Sequence, residues 1–492
     1  MDKAPALGVA EPVDAGPAAA ASARGGERSS RSWVAARLFP LSPAHRGSWW
    51  RSIAFSVVFV VAAATASILR QRGTPALNSM WAEDGHAFYQ SIFTQSTLSA
   101  LFTPNNGYVD LVPRVFIGVL GHVPVAYAAA TFALTGAILS SLIALAVYYV
   151  SAGHLSSRVL RLCIAIPTAL IMYGQSEVGN SIVNVQWYLN FACFWMMLWV
   201  PRTVWGRAVA ALMLFAAIGS DPMTIAFLPL LAVRLWARPW RDSVWQVAGV
   251  LLGGAYQLGG YLHGGPDTRK LVSRYDLVYA HNIYVKEVVG HTLVSQHELS
   301  FIGIDSLGQS QIVGLVLLAL CAALGAWLGR PQWFMAGVCF VCSYGFSAIL
   351  VMQGGSDNPR YSVVPMLLLL ATAAFLVVPR ARPGLESDTE SDTEPATAES
   401  ATAESAGPAA GRSGRGWAPV VPTAVLCLVV GLNFLASYPG GSYSRAASPS
   451  WSSQVHAGYE ACKAGAKQAV LQTAPPIALW KVTVPCSALR RD

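Results

Sequence analysis

Charged residues are scarce in this sequence. Asp, Glu, Lys and Arg make up 12% of its 492 residues, whereas about a quarter is usual for soluble domains. Hydrophobic residues supply 54% of the chain, and the mean hydropathy is +0.46. This composition excludes a soluble enzyme, a disordered protein or a nucleic-acid-binding domain as the main body. It is typical of an integral membrane protein with many spans.

The apolar residues predict an all-α, polytopic membrane fold with about eleven transmembrane helices. Two stretches are only about 18 Å long at 1.5 Å per residue, so we expect their outer ends to stop inside the membrane, against protein or water. These two are Leu162–Tyr173 and Ala208–Gly219. The other nine are Ile53–Leu69, Val123–Val150, Val185–Val200, Met223–Leu235, Val244–Leu262, Ile312–Leu328, Trp333–Met352, Tyr361–Val378 and Val420–Ala436.

Arginine placement predicts the orientation. Basic residues concentrate in the amino-terminal segment and in alternate loops, which indicates a cytoplasmic amino terminus and an extracytoplasmic carboxyl terminus. The Arg-rich and Ala-rich composition favours a bacterial plasma membrane. Two groups of basic residues are exceptions to this bias. Arg70 and Arg72 follow the first span, and Arg269, Lys270 and Arg274 lie in the second long outer loop.

The composition also predicts the domain layout. Residues 1–50 form a disordered cytoplasmic arm, and residues 51–378 form the transmembrane core, with long outer loops at 71–122 and 263–310. A disordered, acidic cytoplasmic linker of tandem repeats covers 379–417, because it has too few apolar residues to fold. The last span covers 418–437, and an extracytoplasmic tail covers 438–492.

The cysteines separate into two groups. Cys462 and Cys486 stand alone in the polar tail, where oxidation is permitted, and we predict a disulfide between them. Cys339 and Cys342 lie in an apolar helix without nearby metal ligands and are predicted to be core thiols.

The first outer loop is too long for a plain connector. It contains Trp81-Ala-Glu83-Asp84-Gly85-His86, followed by apolar residues at helical spacing. This pattern predicts amphipathic helices on the membrane surface with two carboxylates at the first helix start. The two acids either belong to a functional site or only cap the helix and favour its positive end. The motif alone leaves both alternatives open.

This layout resembles the GT-C superfamily of membrane glycosyltransferases. Those proteins share a multispan helical fold and an essential acid in the first outer loop, just after the first span, where Glu83 and Asp84 stand here. The resemblance implies a lipid-phosphate-linked sugar donor used at the outer leaflet. Asp84 is expected to be the catalytic base, with Glu83 supporting it. The sequence has no Asp-x-Asp at this place, and it leaves a divalent metal ion open as the one cofactor.

Three further sets of residues are candidates for the same site. Arg114 and Arg360 stand at membrane re-entry points, where they would bind the donor phosphate or act as interfacial anchors. Arg269, Lys270 and Arg274 are weaker candidates for that role. The sugar or acceptor would contact Trp81 and a polar run between two spans, or else that run is an interfacial loop. Its candidates are Glu177, Asn180, Asn184 and Trp187.

Other polar residues of the loops are interpreted structurally. Asp221, before Pro222, is expected to cap a helix. The second long loop carries three histidines and two glutamates at spacings that match no metal motif, so we predict the water-facing side of a surface helix. They are His281, Glu287, His291, His297 and Glu298.

Transfer of a sugar from a polyprenyl-phosphate donor to a cell-envelope acceptor is the function these patterns favour. Three rivals remain: a transporter of lipid-linked glycans or solutes, a non-enzymatic envelope scaffold, and a glycan polymerase or ligase of another fold. Ion-coupled transporters usually carry ionisable groups at membrane depth, and the predicted spans have almost none. The expected partners are the lipid-linked donor and membrane lipids.

Overall fold

The structure, a computed structural model, describes residues 30–43, 48–264, 276–294, 307–353, 358–379, 420–438 and 445–489. Each of the eleven apolar stretches forms a helix. The helices are α1 Trp49–Leu69, α2 Ala128–Val150, α3 Arg158–Ala169, α4 Val185–Leu198, α5 Val204–Ser220, α6 Leu228–Ala237, α7 Val244–Gly264, α8 Leu307–Leu328, α9 Trp333–Met352, α10 Val363–Leu376 and α11 Val421–Ser437. A 3₁₀ turn, Pro222–Phe227, leads into α6.

Several of these helices suit a membrane. Among the described residues, five helical segments are long and apolar enough to cross one, and those in the regions of α1, α2, α8, α9 and α10 meet the criterion. Helix α1 is apolar, yet Val57, Val58 and Val61 are each more than half exposed. This is expected for a surface that faces lipid. The helical, multispan character is therefore supported, while the number of eleven spans stays a prediction.

Helices α4 and α10 form the centre of the bundle. Every residue of both is buried, as expected for helices that are hydrophobic on all sides. Helix α3 stops at Ala169, two residues after the internal Pro167. The apolar stretch Leu162–Tyr173 is thus helical only as far as Ala169, and Ile171, Met172 and Tyr173 beyond it line a small cavity together with Val363 of α10.

Contacts between loops define two ends of the bundle. Leu41 pairs with Val200 in a β-bridge, and His154 Nε2 contacts the Leu38 carbonyl oxygen at 3.0 Å. We call this end of the bundle the arm end. The opposite end carries the first loop and residues 445–489, and we call it the tail end. The prediction of a disordered arm is wrong for residues 30–43: residues 30–38 are helical, and Phe39 is fully buried.

The first loop contains short helices, and the π-helix among them is buried against protein. Its segments are Ala76–Asn78, the π-helix Asp84–Tyr89, Ser91–Thr94, Thr97–Phe102 and Leu111–Leu120. Tyr89 packs edge-on against Phe132 of α2 and against Trp451. The apolar side of the π-helix therefore contacts protein, which corrects the expectation of a membrane-lying helix at residues 84–89.

Residues 445–489 form a small folded unit, which we call the tail unit. It consists of helix α12, Trp451–Lys463, and an antiparallel hairpin of β1, Gln468–Gln472, and β2, Lys481–Pro485. Cys462 and Cys486 form a disulfide with a Cα–Cα distance of 5.7 Å, the pair expected from the sequence. It joins the end of α12 to the residue after β2.

Reduction of this disulfide should destabilise the tail unit by about 3 kcal/mol, because the bond closes a loop of about 25 residues in the unfolded chain. Thermal unfolding with and without reductant measures the effect. The Cys462→Ser/Cys486→Ser variant should resemble the reduced wild type and show no further response to reductant. An equal drop in midpoint for wild type and variant would contradict this assignment.

Part of the second loop is buried rather than water-facing. Glu287 and His291 are 3% and 5% exposed. The Tyr173 hydroxyl donates to Glu287 at 2.6 Å, and the His291 ring stacks on Tyr173. The predicted water-facing side is therefore wrong at these two positions, although His281 is exposed. Arg269, Lys270, Arg274, His297, Glu298 and most of the predicted linker lie outside the described residues.

Candidate functional site

Two glutamates and one arginine meet at the tail end. Arg360 Nη1 lies 3.3 Å from Glu83 Oε1, and Arg360 Nε lies 3.8 Å from Glu177 Oε2. The three side chains keep exposures of 24%, 14% and 21% for Arg360, Glu83 and Glu177. We call them the Glu83–Arg360–Glu177 cluster. It joins residues that are far apart in sequence, from the first loop, the polar run and the start of α10.

Local backbone features place Arg360 in this cluster. The Asn358 side chain accepts a hydrogen bond from the Arg360 backbone N–H at 3.0 Å and caps the 3₁₀ turn Pro359–Ser362 before α10. Gly174 has a φ of +80°, and a Cβ there would lie 3.0 Å from the Pro359 carbonyl oxygen. Glycine therefore allows the turn before Glu177 to pack directly against Pro359 and Arg360.

The cluster keeps unused hydrogen-bonding capacity. Within the described part of the chain, Glu83 Oε2 and Arg360 Nε are buried atoms without a hydrogen-bond partner. Such atoms are few in folded proteins, because each costs about 1–3 kcal/mol. Glu83 Oε2 is thus an acceptor that a hydroxyl group could use, whereas Arg360 Nε already faces Glu177 Oε2 at 3.8 Å, beyond hydrogen-bond distance.

Asp84 is not part of this cluster. Its side chain is 1% exposed, and Oδ1 accepts a hydrogen bond from the Val183 N–H at 2.9 Å. Adjacent residues of a helix diverge by about 100°, which sends Glu83 towards Arg360 and Asp84 into the protein. The sequence predicts Asp84 as the base with Glu83 in support, but in the structure Glu83, and not Asp84, faces the Arg360 guanidinium group.

The environment of Asp84 gives it an unusual titration. Burial raises its pKa to about 6, while the Val183 N–H, Arg445 and Ser181 act in the opposite direction. Between about pH 4 and pH 6, Asp84 is therefore protonated in the folded state but ionised in the unfolded chain, where its carboxyl group has an ordinary pKa. This contribution to stability is complete below about pH 4 and disappears as the pH rises through 6.

We therefore expect Asp84→Asn to flatten the pH dependence of unfolding. The wild type should lose about 3 kcal/mol more than the variant between pH 4 and pH 7, at about 1.4 kcal/mol per pH unit. Denaturant titrations in detergent across this range measure the difference. Glu460→Gln, which removes an exposed carboxylate of α12, is the control. A variant with the same pH slope as the wild type would contradict the burial of an ionisable Asp84.

The asparagines of the polar run serve the fold. Asn180 exchanges hydrogen bonds with Ser67, at 2.8 Å to its side chain and 2.9 Å to its backbone. Asn184 donates to the Glu177 carbonyl oxygen at 3.0 Å and accepts from Trp187 Nε1 at 3.2 Å. Trp187 is 3% exposed. Of the four residues predicted to contact sugar here, only Glu177 reaches the cluster, because the others hold the run against neighbouring helices.

Arg114 and Trp81 are also occupied elsewhere. Arg114 donates to the Thr103 carbonyl oxygen at 3.0 Å, and its guanidinium lies over the Phe88 ring. Arg445 of the tail unit covers the face of Trp81, at 5.1 Å from the ring centre. The hydrogen bonds of Arg114, to Ser91 and Thr103, stay within the first loop, so the structure does not bring Arg114 to Arg360.

Sequence analysis missed a polar strip beside the cluster. When the Gln186 side-chain amide is turned so that its nitrogen faces acceptors, that nitrogen donates to Asp110 Oδ1 at 3.1 Å. Asn190 donates to Asp221 Oδ2 at 2.7 Å. Gln186 and Asn190 are four residues apart on one side of α4, a spacing that could have indicated the strip. Asp221 also caps the next turn through the Met223 N–H, as predicted.

A divalent metal does not fit the residues of the cluster. Among the described residues, no three Asp, Glu, His or Cys side chains are grouped so that they could hold a metal ion. The Arg360 guanidinium group lies between Glu83 and Glu177, where a shared cation would have to sit. We therefore derive no chemical step through a metal.

Comparisons with known proteins add no constraint to this geometry. No family model matches the chain, and no curated protein or solved structure matches it.

Proposed function

We propose that the protein is a membrane glycosyltransferase that moves a sugar from a polyprenyl-phosphate donor to a cell-envelope acceptor. The observation that carries this proposal is the Glu83–Arg360–Glu177 cluster. It offers a carboxylate for an acceptor hydroxyl and a guanidinium group for a phosphate in one partly exposed place. The layout that resembles the GT-C superfamily supplies the substrate class.

The proposed chemistry uses the Glu83 carboxylate and the Arg360 guanidinium group, which lie 3.3 Å apart. Glu83 takes the proton of the acceptor hydroxyl while that oxygen bonds to the anomeric carbon of the sugar. The bond from the anomeric carbon to the phosphate oxygen breaks, and its electron pair leaves with polyprenyl phosphate, whose charge Arg360 stabilises. The products are the glycosylated acceptor, polyprenyl phosphate and protonated Glu83, with inversion at the anomeric carbon.

Donor binding would also free the base. In the structure, Glu83 and Glu177 share Arg360. A phosphate that bonds to Arg360 competes with Glu83 for Nη1 and leaves that carboxylate available to the acceptor. Glu177 then keeps the guanidinium group in position.

Apolar side chains lie close to the cluster. A small apolar cavity begins one helical turn beyond Arg360 on α10, where α3 has ended, and an isoprenoid chain would have to widen it. Its lining residues are Pro167, Ile171, Met172, Tyr173, Thr292, Val363, Met366, Leu367 and Leu370. With the predicted orientation, the cluster faces outward from a bacterial plasma membrane, with the amino terminus in the cytoplasm.

A non-enzymatic envelope scaffold is the second candidate. The observation that favours a scaffold is that the tail unit packs over the first loop, in which Asp84 and Trp81 are buried. A scaffold would use the tail unit as a partner surface and would not need the free atoms of Glu83 and Arg360.

Reconstitution separates these candidates. The purified chain in proteoliposomes is offered a panel of polyprenyl-phosphate-linked hexoses and pentoses with an envelope extract as acceptor. We expect release of polyprenyl phosphate that requires both donor and acceptor. Movement of the intact donor across the bilayer would indicate a transporter instead, and no change in any donor would favour the scaffold.

A further inference from the structure

The tail unit contacts the first loop on both sides of Glu83. On the side before it, the Ala82 N–H donates to the Ala474 carbonyl oxygen and the Ala474 N–H donates to the Met80 carbonyl oxygen, each at 2.8 Å. On the side after it, Gln90 exchanges hydrogen bonds with the backbone of Thr483, as acceptor at 2.6 Å and donor at 3.2 Å. The turn that carries Glu83 is thus held between two attachment points.

The packing between these points is close. A Cβ on Gly85 would lie 2.3 Å from the Thr473 Cγ2 and 3.0 Å from the Val482 Cγ2. Only glycine therefore allows the hairpin to approach the π-helix Asp84–Tyr89. The tail unit and the first loop share one hydrophobic cluster, which includes Phe88, Leu471 and Val484.

Arg445 adds a charge to this interface. It is 1% exposed, donates to the Asn180 carbonyl oxygen at 2.9 Å and lies over the Trp81 ring. Its positive charge favours the ionised form of Asp84, whose Oδ1 in turn accepts from the Val183 N–H. Arg445 therefore connects three segments: the tail unit, the turn at residues 81–84 and the polar run that begins near Glu177.

We propose that Arg445 is a positioning residue, which acts from the tail unit through Asp84 and Trp81 to hold the turn that presents Glu83 to Arg360. The role of Glu83 as a base rests on the proposed function, but the positioning does not.

Hydrogen–deuterium exchange of the full chain in detergent tests this inference without a substrate. Arg445→Met should raise the exchange rate of amides 82–90 and 181–185 about tenfold, since a buried charged contact is lost. Exchange within α12 should stay near wild type. Arg202→Met, which removes an arginine bonded to the Ser42 carbonyl oxygen at the arm end, is the matched control and should change neither segment.

Two more variants distinguish coupling through Asp84 from a general packing role. Arg445→Met/Asp84→Asn removes both buried charges and should exchange more slowly than Arg445→Met alone. Arg445→Lys retains the charge and should stay within about threefold of wild type. If Arg445→Met alone does not fold, the double variant must fold.

Three results would overturn the proposal: wild-type exchange of amides 82–90 in Arg445→Met, no improvement or no folding in the double variant, or Arg445→Lys as fast as Arg445→Met. Because exchange needs no donor or acceptor, failure to detect sugar transfer would leave a positive result intact. A negative result would equally leave the role of Glu83 untouched.

Discussion

Replacement of Glu83 by Gln should lower the turnover of sugar transfer by at least about 100-fold, the lower range for loss of a general base. Gln is similar in size and can still contact Arg360, but it cannot accept the proton of the acceptor hydroxyl. The measurement is release of polyprenyl phosphate in proteoliposomes at saturating donor. Donor binding should persist or tighten, because the amide competes less strongly for the Arg360 guanidinium group.

Asp84→Asn is the matched control for this experiment. It makes the same chemical change one residue further along, on a side chain that is buried and bonded to the Val183 N–H. We expect it to keep turnover within about tenfold of wild type, since Asn can still accept that bond. The reverse ranking, with Asp84→Asn inactive and Glu83→Gln active, would restore the assignment made from sequence and contradict the structure.

Arg360→Met should weaken both donor binding and turnover. The variant removes the one cation of the cluster and leaves Glu83 and Glu177 without their shared partner. A loss of about 10²–10³ in turnover is usual when a group that stabilises developing charge is deleted. Competition by free polyprenyl phosphate against transfer measures the binding part separately.

The conservative change at the same position is informative. Arg360→Lys keeps the charge but cannot make two parallel hydrogen bonds to a phosphate, so we expect activity between wild type and Arg360→Met. Arg202→Met at the arm end should not affect transfer. Wild-type inhibition by polyprenyl phosphate in Arg360→Met would contradict a phosphate site at this arginine.

Hydrophobic runs made the helices predictable, because each run must be buried or face lipid whatever its neighbours are. The early end of α3 after Pro167 followed from the same local reasoning. The composition of the amino-terminal segment, rich in Ala, Gly, Ser and Arg, predicts disorder, and the partners of residues 30–38, such as Trp236 at the arm end, lie far along the chain. Contacts of that range have no signature in a single sequence.

The site was predictable as a set of residues and not as an arrangement. The sequence motifs include Glu83, Glu177 and Arg360, but nothing local in the sequence shows that these residues meet. The motif of the first loop also favours Asp84 over Glu83 as the base. The choice between two adjacent acids depends on what covers each side of the helix. The tail unit supplies that cover through Arg445 and Ala474, more than 350 residues later in the sequence, and its polar composition did not indicate a packing role.

A structure of the chain with bound polyprenyl phosphate tests the central claim most directly. The account predicts a phosphate oxygen at about 2.7–2.9 Å from a guanidinium nitrogen of Arg360, as in charge-assisted pairs. It also predicts that Glu83 has moved away from Nη1, so that its carboxylate faces the site. A phosphate bound elsewhere, with the 3.3 Å contact between Glu83 and Arg360 unchanged, would contradict it.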